Sequence, residues 1–188
     1  PAPHFLSIDT QGCEYEILEG GTETLKSHVV ALNLEIGFHE LYKGQKMFGD
    51  LCLMMKERGF EFAKFTSIHD QSPYRLPLGQ RADGFTIAGE GLYLRSIENI
   101  RKTVELNKQP DMFRRLAFIA IVYNLLEYAV TCLQEADKID GGITPETIND
   151  SSIDHFLYEL NAALAAMPKV FPVTFQQRYS WEESKGRF

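Results

Sequence analysis

Apolar positions change rhythm along this chain, and each change predicts an element. Phe5-Leu6-Ser7-Ile8 is a short apolar run halted by Asp9, as in a buried parallel strand. Gly12 and Cys13 follow at a turn. Tyr15, Ile17, Leu18 and Leu25 then recur at roughly helical spacing, interrupted by Gly20-Gly21. Val29 to Ile36 is nearly all apolar and predicts a second strand. Residues 44–58 alternate as an amphipathic helix, with Phe48, Leu51, Cys52 and Met55 on one side and Gly59 as its stop. Phe60 to Phe65 has period two and reads as a half-exposed strand. Beyond a polar stretch with Pro73, Pro77 and Gly79, residues 82–88 predict a last strand, with Gly89 to Gly91 behind it.

Strands alternating with helices predict an α/β layer fold with a parallel sheet. Only four strands are visible and no helix precedes the first, which points to part of a larger doubly wound domain. The abrupt start, without Met and almost directly in a strand, agrees with a fragment.

From Ser96 the pattern is all-helical. Ile97 to Asn107 is one helix, and Asp111 caps a long second one through about Asp137, stopped by Gly141-Gly142. Its centre, Leu116 to Leu133, is apolar except for Asn124, Glu127 and Thr131. A bilayer span takes about 20 apolar residues, and a central Glu is costly there. The expectation is therefore burial against neighbouring elements or another subunit, not a membrane. Ser151 and Asp154 resemble a capping box opening a last helix through Met167, halted by Pro168. Residues 169–188 read as a polar tail with Trp181 as its large apolar anchor. The expected organisation is an α/β part over 1–95 and a helical extension over 96–188, whose helices through 167 could join copies of the chain as a homo-oligomer.

Composition narrows the classes. With 44% hydrophobic and 12% aromatic residues the chain can fill a core. The formal charge of -7 is spread evenly: residues 1–95 carry 9 basic and 13 acidic side chains, and residues 96–188 carry 10 and 13. No basic face exists for a phosphate backbone, so nucleic acid is not an expected partner. Cys13, Cys52 and Cys132 lie far apart, without CxxC or zinc spacing, and read as reduced thiols of a cytoplasmic protein.

Ligands of open α/β sheets bind at the carboxyl ends of parallel strands. Asp9 ends the first strand and Glu35 lies near the end of the second, so the two carboxylates would converge on one pocket as general base or cofactor anchor. Asp9 has an alternative use as a cap for the following helix. Glu35, between Leu34 and Ile36, is harder to explain structurally, because a carboxylate in an apolar strand is costly unless paired or functional. His39 and Tyr42, in the next loop, can exchange protons at that sheet end, although a loop His is commonly just solvated. Glu14 and Glu16 suit the helix macrodipole without further function. His69-Asp70 reads as a turn. No GxGxxG, GxSxG or P-loop sequence is present. Asp9 and Glu35 could hold a hard cation, but the sequence offers no evident third ligand.

The block from Leu6 to Gly20, with Asp9, Gln11, Gly12 and Glu14, resembles the strand-turn-helix motif of FkbM-type methyltransferases. Three further matches follow in order. Leu34-Glu35-Ile36 resembles the family's second strand. Leu41-Tyr42-Lys43-Gly44-Gln45, with Phe48 and Gly59-Phe60, resembles its loop and helix. Arg81 to Phe85 resembles its closing strand. The resemblance implies part of a class I, Rossmann-like methyltransferase sheet with an antiparallel final strand, followed by the helical extension. It implies methyl transfer from S-adenosylmethionine to an oxygen, commonly a hydroxyl of a sugar or secondary metabolite. Asp9, Gln11, Gly12 and Glu14 fall on the motif at the cofactor and substrate end, and Glu35 on the second strand's acid. Asp9, Glu35 and His39 are the catalytic candidates. The family usually has Glu where this chain has Gln11. Its first three strands and glycine loop have no counterpart here. A non-catalytic reading is the alternative: a helical assembly module joined to a degenerate methyltransferase half.

Overall fold

Residues 5–8 form strand β1 because apolar Phe5, Leu6 and Ile8 pair in parallel with the most deeply buried segment, β2 (Ala31–Gly37). A computed structural model describes residues 3–72, 83–141, 158–160 and 162. Between these strands lie helices α1 (Glu14–Gly20) and α2 (Thr22–Ser27), separated at Gly21 as the glycine pair predicts. Helix α3 (Phe48–Glu57) leads into β3 (Phe60–Gln71), and β4 (Phe85–Arg95) completes the sheet in the order β1-β2-β4-β3.

β1, β2 and β3 run parallel, and β4 is inserted antiparallel between β2 and β3. The sheet is therefore mixed, where the strand–helix pattern alone predicts a wholly parallel one. It agrees with the antiparallel final strand of a partial class I sheet. β4 also runs through Gly89 and Gly91, where the sequence reading ends it. The glycines are packing requirements of the strand: a Cβ on Gly89 would stand 2.5 Å from the Ser67 carbonyl oxygen, and one on Gly91 would crowd Phe62 and Tyr93. β3 is likewise twice its expected length, so His69-Asp70 lies in a strand and not in a turn.

Alternation separates the sheet's two faces. Leu32, Leu34 and Ile36 of β2, with Tyr93 of β4, pack against Leu18, Leu25, Leu51, Met54 and Met55 of helices α1 to α3. Asn33, Glu35 and Glu90 belong to the other face. There Tyr123 meets the Phe5 ring at 6.2 Å and accepts a hydrogen bond from Lys64 Nζ on its carbonyl. Arg95, 1% exposed, donates to the Lys26 and Val29 carbonyls and to Asn99 and Thr103, tying the end of β4 to α2 and α4 (Ile97–Thr103).

The long second helix expected over 111–137 is two helices, α5 (Gln109–Val122) and α6 (Leu126–Asp140). Asn124 breaks them at φ +59, a left-handed conformation that Asn tolerates better than most residues. The apolar stretch therefore folds back on itself, and no helix among the described residues is long and apolar enough to cross a membrane. The compact unit holding all these elements spans Pro1–Thr147; a second comprises Ile148–Phe188. In the latter, residues 158–160 and 162 are helical. The expected capping box at Ser151 and the tail with Trp181 lie outside the described residues, as do Pro73, Pro77, Gly79 and Arg81.

Candidate functional site

The turn after β1 is shaped by Glu14, the first residue of α1. Its carboxylate is 3% exposed and accepts hydrogen bonds from Thr10 N at 2.7 Å, Thr10 Oγ1 at 2.9 Å and Gly12 N at 3.1 Å. This holds Gln11 at φ +57 and Gly12 at φ +101. Glycine is required at 12 twice over, for its conformation and because a Cβ there would stand 2.9 Å from Tyr42 Cδ2. Asp9 does not cap the helix; the cap residue is Cys13, which makes no side-chain cap bond. That leaves the Asp9 carboxylate exposed at the sheet end.

Gln11 reaches across the turn to the next strand. Its Nε2 donates to Asp9 Oδ1 at 2.9 Å and to both Glu35 oxygens at 3.2 Å, while its Oε1 accepts from the Tyr42 hydroxyl at 2.7 Å. Oxygens of Asp9, Glu14 and Glu35 all lie within 4.8 Å of one another. Glu14 is thus close enough to join the other two around a hard cation. Its oxygens, however, already bind the turn's own N–H groups, so the set has the character of a folded turn as much as of a metal site. The carboxylate pair expected from sequence is real, and Glu35 is the one residue of β2 that is not fully buried.

The Glu35 carboxyl holds its proton above the ordinary value of 4.5. Burial is the largest cause, followed by a hydrogen bond with Asp9 and the charges of Asp9 and Glu14; a backbone hydrogen bond from Gln11 pulls the other way.

His39 stands elsewhere at the sheet end. It is exposed, its ring centroid lies 6.4 Å from that of Phe85 at 25°, and with Gln71, Phe85 and Ile87 it lines a cavity of about 290 Å³. The loop carrying Tyr42 is fastened by Gln45, whose Oε1 accepts from Leu41 N at 3.1 Å and Tyr42 N at 3.3 Å.

Residues 1–62 match the family model of the methyltransferase FkbM domain. The match covers β1, the Asp9–Glu14 turn, Glu35, Tyr42 and α3, and stops three residues into β3. No curated protein and no solved structure matches the chain.

Sequence reasoning passed over three polar residues on the Glu35 face. Asn33 Nδ2 donates to Glu90 Oε2 at 2.7 Å, and Thr66 Oγ1 donates to Asn33 Oδ1 at 2.9 Å. The signal was available, because Asn33 is flanked by Leu32 and Leu34 as Glu35 is by Leu34 and Ile36. A polar side chain in an apolar strand demands a partner, and Asn33 finds it in Glu90.

Proposed function

We propose that residues 1–95 supply the acid-bearing part of an S-adenosylmethionine-dependent O-methyltransferase site, acting on a hydroxyl of an uncharged small molecule such as a sugar or secondary metabolite. The observation that carries this is the Asp9–Glu35 pair at neighbouring parallel strand ends, with the Gln11 amide N–H between them and one carboxyl of raised proton affinity. The FkbM match supplies the reaction class. Three carboxylates in one cluster repel a phosphorylated or carboxylated acceptor, which favours a neutral one.

When bound, S-adenosylmethionine supplies a sulfonium-activated methyl group. Its cationic and hydroxyl groups fit the exposed Asp9 carboxylate, which has acceptor capacity left after binding Gln11. Gly12 and Glu14 serve the turn, since each is occupied by the other. The chain has no glycine-rich loop, so we expect these 188 residues alone to bind the cofactor weakly in a calorimetric titration. Glu35 accepts the acceptor's hydroxyl proton, with the Asp9 carboxylate beside it. His39 then contacts the acceptor away from the reacting oxygen, from the cavity it shares with Phe85. Helix α5 ends against the sheet's second face, where Tyr123 meets Phe5 and Lys64, and the helices after Ser96 give copies of the chain a surface for assembly.

The test is methyl transfer by the full-length protein from labelled S-adenosylmethionine to neutral hydroxyl compounds and their phosphorylated counterparts. Transfer confined to the neutral set is expected. Transfer to the phosphorylated set alone, or to amines alone, would remove the reading.

A further inference from the structure

We propose that Tyr42 is a positioning residue for the Asp9–Glu35 pair: its hydroxyl fixes which end of the Gln11 amide faces the two carboxylates. A primary amide has one end that donates and one that accepts. Two acceptors on one side, Asp9 and Glu35, require the donating end, and a hydroxyl donor on the other side requires the accepting end. Turned over, the amide would aim an oxygen at two carboxylates, so the contacts on its two sides enforce one orientation.

The parts that deliver this contact come from three elements. Gln11 is held over the site by the left-handed turn, itself fixed by Glu14. Tyr42 sits in the β2–α3 loop with its ring against Gly12, and the loop is fastened at Leu41 and Tyr42 by Gln45, whose own N–H donates to the Tyr42 carbonyl at 2.9 Å. The ring thus packs while the hydroxyl polarises. Those two contributions separate in a Tyr42→Phe variant, which keeps the ring and loses the hydroxyl.

The groups around Glu35 define what the variant should change. Asp9 faces it from the β1–α1 turn and Glu14 from α1, both raising its proton affinity. Glu90 lies opposite it in register on β4, with one oxygen held by Asn33. A backbone hydrogen bond from Gln11 lowers that proton affinity. The Gln11 side-chain amide, steered by Tyr42, donates to both oxygens of the same carboxylate, and a donor aimed at a carboxylate favours its ionised form. Freed from the Tyr42 hydroxyl, the amide can rotate away, and Glu35, having lost that donor, holds its proton more tightly. The inference rests on the proton-accepting role proposed above only for its consequence in turnover; the amide's orientation and the titration are read without cofactor or acceptor.

The experiment is a carboxyl-carbon NMR titration of Glu35 in the ¹³C-labelled chain, wild type against Tyr42→Phe. The expected result is an upward shift of the Glu35 midpoint by at least about half a pH unit, with the thermal midpoint changed by less than about 2 °C. A midpoint unchanged to within about 0.2 units in a folded variant overturns the proposal and leaves Tyr42 a packing residue. Should Tyr42→Phe not fold, Gln11→Met removes both ends of the amide at similar length, and the same upward shift is required of it. If the titration shifts but methyl transfer by full-length Tyr42→Phe keeps its wild-type pH profile, the catalytic reading fails and the positioning stands.

Discussion

Glu14 and Glu16 occupy the same first helical turn of α1, yet the structure gives them different work. Both favour the helix dipole, a contribution of about 0.3–1 kcal/mol that the two share. Only Glu14 is buried, and only Glu14 binds Thr10 N, Thr10 Oγ1 and Gly12 N. Hydrogen bonds to a charged group contribute about 1.5–3 kcal/mol each. The figure must be discounted here, because exposed Thr10 regains water when Glu14 is removed, and burying a carboxylate is itself costly. The half-buried Gly12 N–H keeps most of its penalty. A net loss of about 2 kcal/mol is therefore expected for Glu14→Ala, against less than about 1 for Glu16→Ala, which loses the dipole contribution alone. Urea denaturation of both variants measures the difference directly, and thermal melts should show Glu14→Ala lower by about 4–8 °C. Equal stability of the two variants, to within about 0.5 kcal/mol, would refute the claim that Glu14 builds the turn beneath Asp9.

Two further predictions follow from the same geometry. Because the folded-state proton affinity of Glu35 is raised, this group favours the folded state below 4.5 and that contribution is lost as pH rises through the folded value. Glu35→Gln should therefore be more stable than wild type at pH 7, with the gap closing as the pH falls below 4.5; a gap that widens on acidification would reverse the sign. Asn124→Gly should leave thermal stability near that of wild type, while Asn124→Val should lower it by about 1–2 kcal/mol, since φ +59 is left-handed; equal melts for both would contradict the helix break.

What the sequence disclosed depended on whether the deciding contact was local. Phe5–Ile8 was legible because four residues and the stop at Asp9 define that strand without reference to anything distant. The carboxylate pair was legible because strand ends follow from strand positions. Gly89 and Gly91 misled, because their reason lies on β3, at the Ser67 carbonyl and Phe62. Asn124 looked like a polar interruption of one helix, and only the docking of Tyr123 on Phe5 and Lys64 shows why the chain must turn there. Glu14 looked like an ordinary dipole partner, because the N–H groups it binds converge only after Gln11 and Gly12 adopt positive φ. Gln11 is the instructive departure. Where the FkbM family usually carries Glu, this chain carries an amide that donates to both acids at once, a role that composition and spacing could not disclose.

The central claim is that Glu35 takes the acceptor's proton at a site it shares with Asp9. The most direct measurement is the single-turnover rate of methyl transfer by full-length Glu35→Gln against wild type, at saturating cofactor and acceptor. General-base catalysis contributes about 10²- to 10⁴-fold, so a fall of at least about a hundredfold is predicted, with acceptor affinity little changed. A rate within about threefold of wild type would contradict the account.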